Sequence, residues 1–263
     1  IPFIAAHAHS SPLGMDKNSL FRFLLKHLMR PYLTHRFTCN ELCGRWLFGR
    51  KGMKDAVVVR NAIDAGKFSY SPETRERVRR EMGWEGKLVA GHTGNFSWPK
   101  NHEFLLRVFQ AFLGLHPDSL LVLAGSGGEK EEQVRQEAER AEWRGRIRLL
   151  GGRDDIPDLL QGMDVFVFPS WFEGFGIAML EAQAAGLPVL ASDRVPEDAA
   201  VVPGHVSFLS LRESPEVWAR KMEELARGWR RNDTAAAIRQ AGLDIAGNAQ
   251  KLQEFYLEQG GES

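Results

Sequence analysis

Cysteine is scarce in this chain: its 263 residues hold two, Cys39 and Cys43, four positions apart. No histidine or cysteine pair completes a zinc site with them, so both are expected to be reduced, structurally inert thiols of a cytoplasmic protein. No apolar run approaches the ~20 residues that span a bilayer. Neither sign of charge is in excess, with 34 Lys and Arg against 34 Asp and Glu, and this balance gives no global reason to expect nucleic acid as a partner. Internal repeats and low-complexity segments are missing. No Asp-x-Asp pair appears that would suggest a metal site. The first residue is Ile and the sequence opens in mid-strand, with no visible signal peptide; it reads as a chain lacking its true beginning.

What remains is an ordinary globular composition, 43% hydrophobic and 26% charged, enough for one large domain or two small ones. From Lys87 onward strands and helices alternate. The strands are expected at Leu88–His92, Leu120–Ala124, Ile147–Leu150, Val165–Phe168, Val189–Ala191 and Val206–Leu209. Between and after them come helices at about His102–Leu115, Glu129–Trp143, Ile156–Met163, Ile177–Ala185 and Pro215–Arg230. This pattern argues an α/β fold with a parallel sheet and helices on both faces. Before it, Ile1–Ala8, His35–Cys39 and Lys54–Val59 read as short strands. Asn40 is placed to cap a helix running to Phe48. Ser71, Pro72 and Glu73 form a helix start and Gly83 its stop. A helix ending near Arg30, before Pro31, carries Arg22, Lys26 and Arg30 four apart on one face among many apolar residues. The segment 17–36 therefore reads either as a core helix with a solvated basic stripe or as a helix lying on an anionic membrane surface.

The densest stretch runs from Asp164 to Asp193: an apolar strand closed by Pro169 and Ser170, a loop, a helix ended by Gly186, and a second strand. In open parallel sheets ligands bind beyond the carboxyl ends of the strands, where such a loop and helix start lie. Gly174 and Gly176 let the backbone approach a ligand. The first helical N–H groups can donate to hydroxyls or phosphates. Glu173 precedes the helix and Glu181 lies about one turn inside it. A carboxylate can accept from two vicinal sugar hydroxyls at once, although solvated surface charge is the plainer reading of each. A second cluster, Gly91 to His102, places Gly94 and Asn95 after a strand and Lys100 near a helix start. That arrangement suits a diphosphate whose charge grows as it leaves.

Glu173-Gly-Phe-Gly-Ile-Ala-Met-Leu-Glu181, with Phe168-Pro169-Ser170 before it and Ala185-Gly186-Leu187-Pro188-Val189 after it, resembles the E-x7-E signature of retaining, nucleotide-sugar-dependent glycosyltransferases of family 4. These have the GT-B fold of two Rossmann-like domains. The cluster ending in Lys100-Asn101 is similar to the family's Gly-Arg-Phe…Lys-Asn element, with Asn95 where arginine is usual. Gly125-Ser-Gly127 resembles its Gly-Asp/Ser-Gly turn, and Asn61-Ala-Ile-Asp64 the passage between its domains. His7 and His9 match a strand end in the branch that makes capsular and extracellular polysaccharides.

The resemblance implies a GT-B type α/β chain with three parts: 1–60, the remnant of an acceptor-side domain; 61–232, a complete nucleotide-sugar-binding domain; and 233–263, a crossover helix. It implies a hexosyltransferase, incomplete as given, moving a hexose from a nucleoside diphosphate sugar to a saccharide or lipid-linked saccharide with retention. UDP is the expected nucleotide. Glu181 would hold the ribose. Glu173, with the backbone of Gly174, Phe175, Gly176 and Ile177, would hold the donor sugar. Lys100 would stabilise the departing diphosphate, with Gly94 and Asn95 beside it, and Arg153 and Ile156 would lie by the base. His9, rather than His7, would meet the sugar. No cofactor and no metal are expected, and the location is cytoplasmic, at the inner face of the membrane. A nucleotide-sugar-binding fragment without transfer activity, and a nucleotide-sugar epimerase of the same fold, stay open as alternatives.

Overall fold

The computed structural model describes residues 3–8, 19–143 and 145–260. In chain order the elements begin with β1 (Ala5–Ala8), α1 (Ser19–Met29), β2 (His35–Thr38), α2 (Glu41–Gly52), β3 (Ala56–Val58), α3 (Ala65–Phe68) and α4 (Pro72–Met82). There follow β4 (Val89–Thr93), α5 (His102–Leu115), β5 (Leu120–Ala124), α6 (Glu131–Ala138), β6 (Ile147–Gly151), α7 (Ile156–Gly162) and β7 (Val165–Phe168). The chain finishes with α8 (Ile177–Ala184), β8 (Val189–Ser192), β9 (Val206–Leu209), α9 (Pro215–Gly228), α10 (Ala235–Gln240) and α11 (Ile245–Gly260). Two compact units result: residues 63–241 form one, and residues 1–62 with 242–263 form the other.

The larger unit is built on a six-stranded parallel sheet in the order β6-β5-β4-β7-β8-β9. Its central strands are buried along their whole length. That is why Leu120–Ala124 and Val165–Phe168 read as continuous apolar runs rather than alternating ones. From β4 the chain steps outward through β5 to β6, crosses back, and continues through β7 to β9 on the other side. The direction reverses between β4 and β7, which makes their carboxyl ends the topological switch point where open α/β sheets bind ligands. Helix α5 packs against α9, while α4 packs against α7. Phe109, Phe112, Trp218 and Phe166 are fully buried in the core.

Local chemistry explains the boundaries. Ser71 Oγ accepts from the Thr74 N–H, Pro72 opens α4, and Gly83 closes it in the left-handed conformation, as the sequence predicts. At the start of the sheet Asp164 accepts from Arg75 (2.5 Å), Arg79 (3.1 Å) and the Val89 N–H (2.8 Å), fastening α4 to β4 and β7. The helix expected over 129–143 is instead α6 plus a 3-10 turn, Ala141–Trp143. It gives way where the Trp143 ring turns inward beside Phe109, 6.3 Å between centroids. The short helices α3 and α10 lack enough periodicity to be read from sequence.

In the smaller unit, β1, β2 and β3 pair in parallel. Asn40 Oδ1 accepts from the Cys43 N–H and caps α2, whose regular geometry breaks at Gly49 (φ 74°). Cys39 and Cys43 are buried and unbridged. Burial and the neighbouring Cys43 push the Cys39 thiol up to about 12. Phe37 stacks on His7 and meets Phe255 of α11 edge-on.

Helix α1 departs from the core-helix reading. Lys26, and Arg30 just past the helix end, turn toward α2: Lys26 donates to Trp46 O (3.2 Å), and Arg30 to Leu47 O (2.7 Å) and Trp46 O (3.2 Å), while Arg22 is exposed. Its apolar residues Leu20, Phe21, Phe23, Leu24, Leu25 and Leu28 are exposed. Of the described residues, no helix is long and apolar enough to cross a membrane.

Candidate functional site at the β4–β7 switch point

The loops after β4 and β5 and the end of β6 are stitched together before any side chain is considered. The Gly94 N–H donates to Ala124 O (3.0 Å), and the Gly125 N–H to Gly151 O (2.8 Å). Gly125 has φ 152°, and a Cβ there would lie 1.9 Å from Gly94 O, so only glycine permits this approach. Phe96 and Lys130 extend the seam: the Phe96 N–H donates to Gly127 O and the Lys130 N–H to Phe96 O.

This seam delivers a 3-10 turn, Trp98–Lys100, followed by Asn101 at φ 56°. Among the described residues Asn101 is the one non-glycine with positive φ. Its side-chain amide donates to Pro169 O (3.0 Å), a bond that holds a conformation L-residues otherwise avoid. From the other loop the Trp171 N–H donates to Pro99 O (2.8 Å). The two loops are thereby locked, and Lys100 Nζ reaches both oxygens of Glu173, at 2.9 and 3.1 Å. The pair is mostly buried, 18% and 11% exposed, and Nζ also lies 5.2 Å above the Phe168 ring.

The sequence-derived residues divide accordingly. Lys100, Glu173 and Gly94 meet at the switch point; a Cβ on Gly94 would press within 3.3 Å of Lys100 Cε. Phe175 and Gly176 are buried. Gly176 stands before α8 with φ 94°, and no side chain caps that helix, which leaves its first N–H groups, from Ile177 on, without a side-chain acceptor. Gly174 and the exposed Ile177 complete the loop. Glu181 sits in α8, and its carboxylate forms no hydrogen bond or ion pair with the described residues. Burial alone pushes its carboxyl up to about 7. Asn95 is exposed and accepts from Ser97 Oγ (2.8 Å). Arg153 is held by Asp155 through two bonds, 2.7 and 2.5 Å, and Ile156 opens α7. No hydrogen bond joins either to the Lys100–Glu173 pair. His9 lies outside the described residues.

Sequence reasoning passed over a buried polar layer beneath the pair. His92 and His102 meet edge-on, 5.0 Å between centroids. Burial holds both imidazoles low, His102 down to about 4, so both are neutral near pH 7. Thr93 Oγ1 and Ser170 Oγ are buried there without a partner among the described residues. In the sequence His102, His116 and His205 show no partner pattern and read as structural or surface residues; His102 and His205 are buried. His116 Nε2 donates to the Glu223 carboxylate at 2.8 Å.

The larger unit thus joins a parallel α/β sheet to a cation–carboxylate pair and an uncapped helix start at its switch point, and solved glycosyltransferase structures share the fold. The profile of the family described as "Glycosyl transferases group 1" matches residues 74–243. The chain belongs to that family, and with it to the glycosyltransferase enzymes. EpsF of Bacillus subtilis (strain 168), named a glycosyltransferase, is 32% identical over 267 residues, covering 97% of this chain and 68% of EpsF. The Escherichia coli protein named "UDP-Gal:alpha-D-GlcNAc-diphosphoundecaprenol alpha-1,3-galactosyltransferase" is 30% identical over 203 residues, 73% of this chain and 52% of that one. The chain thus spans between about half and two thirds of these relatives. Among solved structures, Anabaena Alr3699/HepE in complex with UDP-glucose superposes with TM-score 0.76 at 21% identity, covering 97% of this chain and 72% of that one.

Proposed function

We propose that the unit 63–241 binds a nucleoside diphosphate sugar at the β4–β7 switch point, for transfer of its hexose to a hydroxyl acceptor with retention at the anomeric carbon. The observation that carries this reading is the Lys100–Glu173 pair, one residue from each side of the switch point. A diphosphate brings the negative charge that Lys100 can accept in place of Glu173. Released from the lysine, Glu173 becomes an acceptor for sugar hydroxyls, beside the uncapped start of α8. Lys100 then faces the oxygen on which charge accumulates as the glycosidic bond to phosphate breaks. Glu181, half-buried with no partner for its carboxylate among the described residues, is suited to accept from a pair of ribose hydroxyls. No cofactor enters this scheme, and no side-chain base is assigned.

Support for UDP comes from the E. coli relative, whose name gives UDP-Gal, and from the HepE complexes with UDP and UDP-glucose. The diphosphoundecaprenol in the same relative's name supports a lipid-linked acceptor, and the Rhizobium meliloti relative named a lipopolysaccharide core biosynthesis mannosyltransferase supports a role in surface polysaccharide synthesis. The apolar face of α1 suits contact with the inner face of a membrane.

The test is incubation with UDP-glucose and UDP-galactose, following the released sugar or the product by NMR. Transfer or hydrolysis that gives the α-anomer first, and falls at least tenfold in Glu173→Gln, supports the proposal. A β-anomer first contradicts retention. UDP-sugar binding with no turnover favours the binding-fragment reading.

A further inference from the structure

Beside the switch point, and separated from it by the loop 97–101, a cavity of about 640 Å³ opens between α5 and α6. Its volume lies within the ~300–1,000 Å³ of small-ligand sites. Two of its lining side chains are 3% exposed and carry polar atoms with no partner among the described residues: both ring nitrogens of His102, and Nε1 of Trp143. Native proteins rarely leave buried polar atoms idle, and each such group costs ~1–3 kcal/mol if nothing meets it. These atoms therefore point to something polar that enters the cavity.

The rim says what kind of molecule. Trp98 and Trp171 are 55% and 42% exposed, and their rings lie nearly parallel, 8° apart in orientation and 6.3 Å between centroids. Large exposed indoles offer an apolar face with a polar edge. On the walls Gln110 presents a donor and an acceptor and Gln133 its amide donors, its oxygen accepting from Lys130 (3.1 Å), while the two acids Glu103 and Glu137 stand with two bases, Arg107 and Lys130. The charges balance. A phosphate would need an excess of cations, which these walls lack, and an aliphatic ligand would leave the glutamines and His102 unsatisfied. A neutral pyranose answers every feature: its C–H face lies against an indole, and its hydroxyls both donate and accept.

We propose that this groove is a saccharide-binding site, distinct from the switch-point site, that takes one or two neutral sugar residues. Trp98 and Trp171 belong to the loops that carry Lys100 and Glu173. A glycan held there is thereby held next to the reacting pair, as a growing chain must be if it is extended without being released. The assignment of the groove itself rests on its own lining and not on the donor reading.

The test is saturation-transfer NMR and tryptophan fluorescence on the full 263-residue chain, with maltotriose, cellotriose and chitotriose as probes and UDP as a separate ligand. Expected are transfer to at least one trisaccharide, at least tenfold weaker binding in Trp98→Ala, and about threefold weaker binding in Trp143→Phe. Binding should persist in saturating UDP and in Glu181→Ala. Because Trp98 is exposed, circular dichroism should show its variant folded. Three outcomes overturn the proposal: no transfer to any trisaccharide, binding unchanged in the Trp98→Ala, Trp171→Ala double variant, or displacement by UDP, which would place the sugar in the switch-point site.

Discussion

Glu181 shows most clearly how burial prepares a single residue. An ordinary glutamate titrates near 4.5, and this one is pushed up to about 7 by desolvation. The folded chain therefore holds a proton on it that the unfolded chain has lost between those two pH values. Its contribution is fully favourable below 4.5 and is lost as pH rises through 7. Glu181→Gln should gain thermal stability over wild type at pH 8, with the difference shrinking toward pH 5; a difference independent of pH would contradict this. Hydroxyls donating to the carboxylate favour its charged form, so UDP binding near pH 6 should release a proton, detectable as a buffer-dependent heat and absent in Glu181→Gln. The three charged residues of the site were legible in the sequence because they sit at fixed places in two local motifs. The contact between Lys100 and Glu173 was not, since it joins residues 73 positions apart. His102 and Trp98 were hidden for a similar cause: their burial and exposure are properties of packing, which periodicity does not report.

Between elements, the site depends on backbone approach. Gly125→Ala combines a positive φ with a Cβ 1.9 Å from Gly94 O. It should cost about 2–4 kcal/mol. Gly127→Ala, with φ 75° and open space around it, should cost about 1 kcal/mol, and urea denaturation separates the two. The Asp164 junction makes a second case. Asp164→Ala strands two partly buried arginines and the Val89 N–H, and should cost about 3–5 kcal/mol. Arg77→Ala, at an exposed pair, should stay within about 0.5 kcal/mol. The central strands of the larger sheet are legible because both faces are buried and their apolar runs are continuous. Helix α1 was read with its faces open to either arrangement. Its sequence shows an apolar majority and a basic stripe, but the backbone carbonyls of Trp46 and Leu47 that draw Lys26 and Arg30 inward are invisible to any local pattern.

For the molecule as a whole, α1 leaves an apolar surface exposed while Lys26 within it and Arg30 at its end are already engaged. Binding to phosphatidylglycerol vesicles should therefore depend on the apolar residues more than on charge. Leu24→Glu with Leu28→Glu should abolish co-sedimentation, whereas raising salt from 0.05 to about 0.3 M should weaken it only modestly. Strong salt dependence would contradict the exposed-face reading. At the largest scale, two loops from opposite sides of one sheet reversal meet through Lys100 and Glu173, with Glu181 unpartnered in the following helix. Calorimetric titration of the chain with UDP, wild type beside Lys100→Ala and Glu181→Ala, tests that arrangement most directly. Binding weakened at least tenfold by each substitution is the expected result. Wild-type affinity retained in both variants would place the nucleotide elsewhere and contradict the site described.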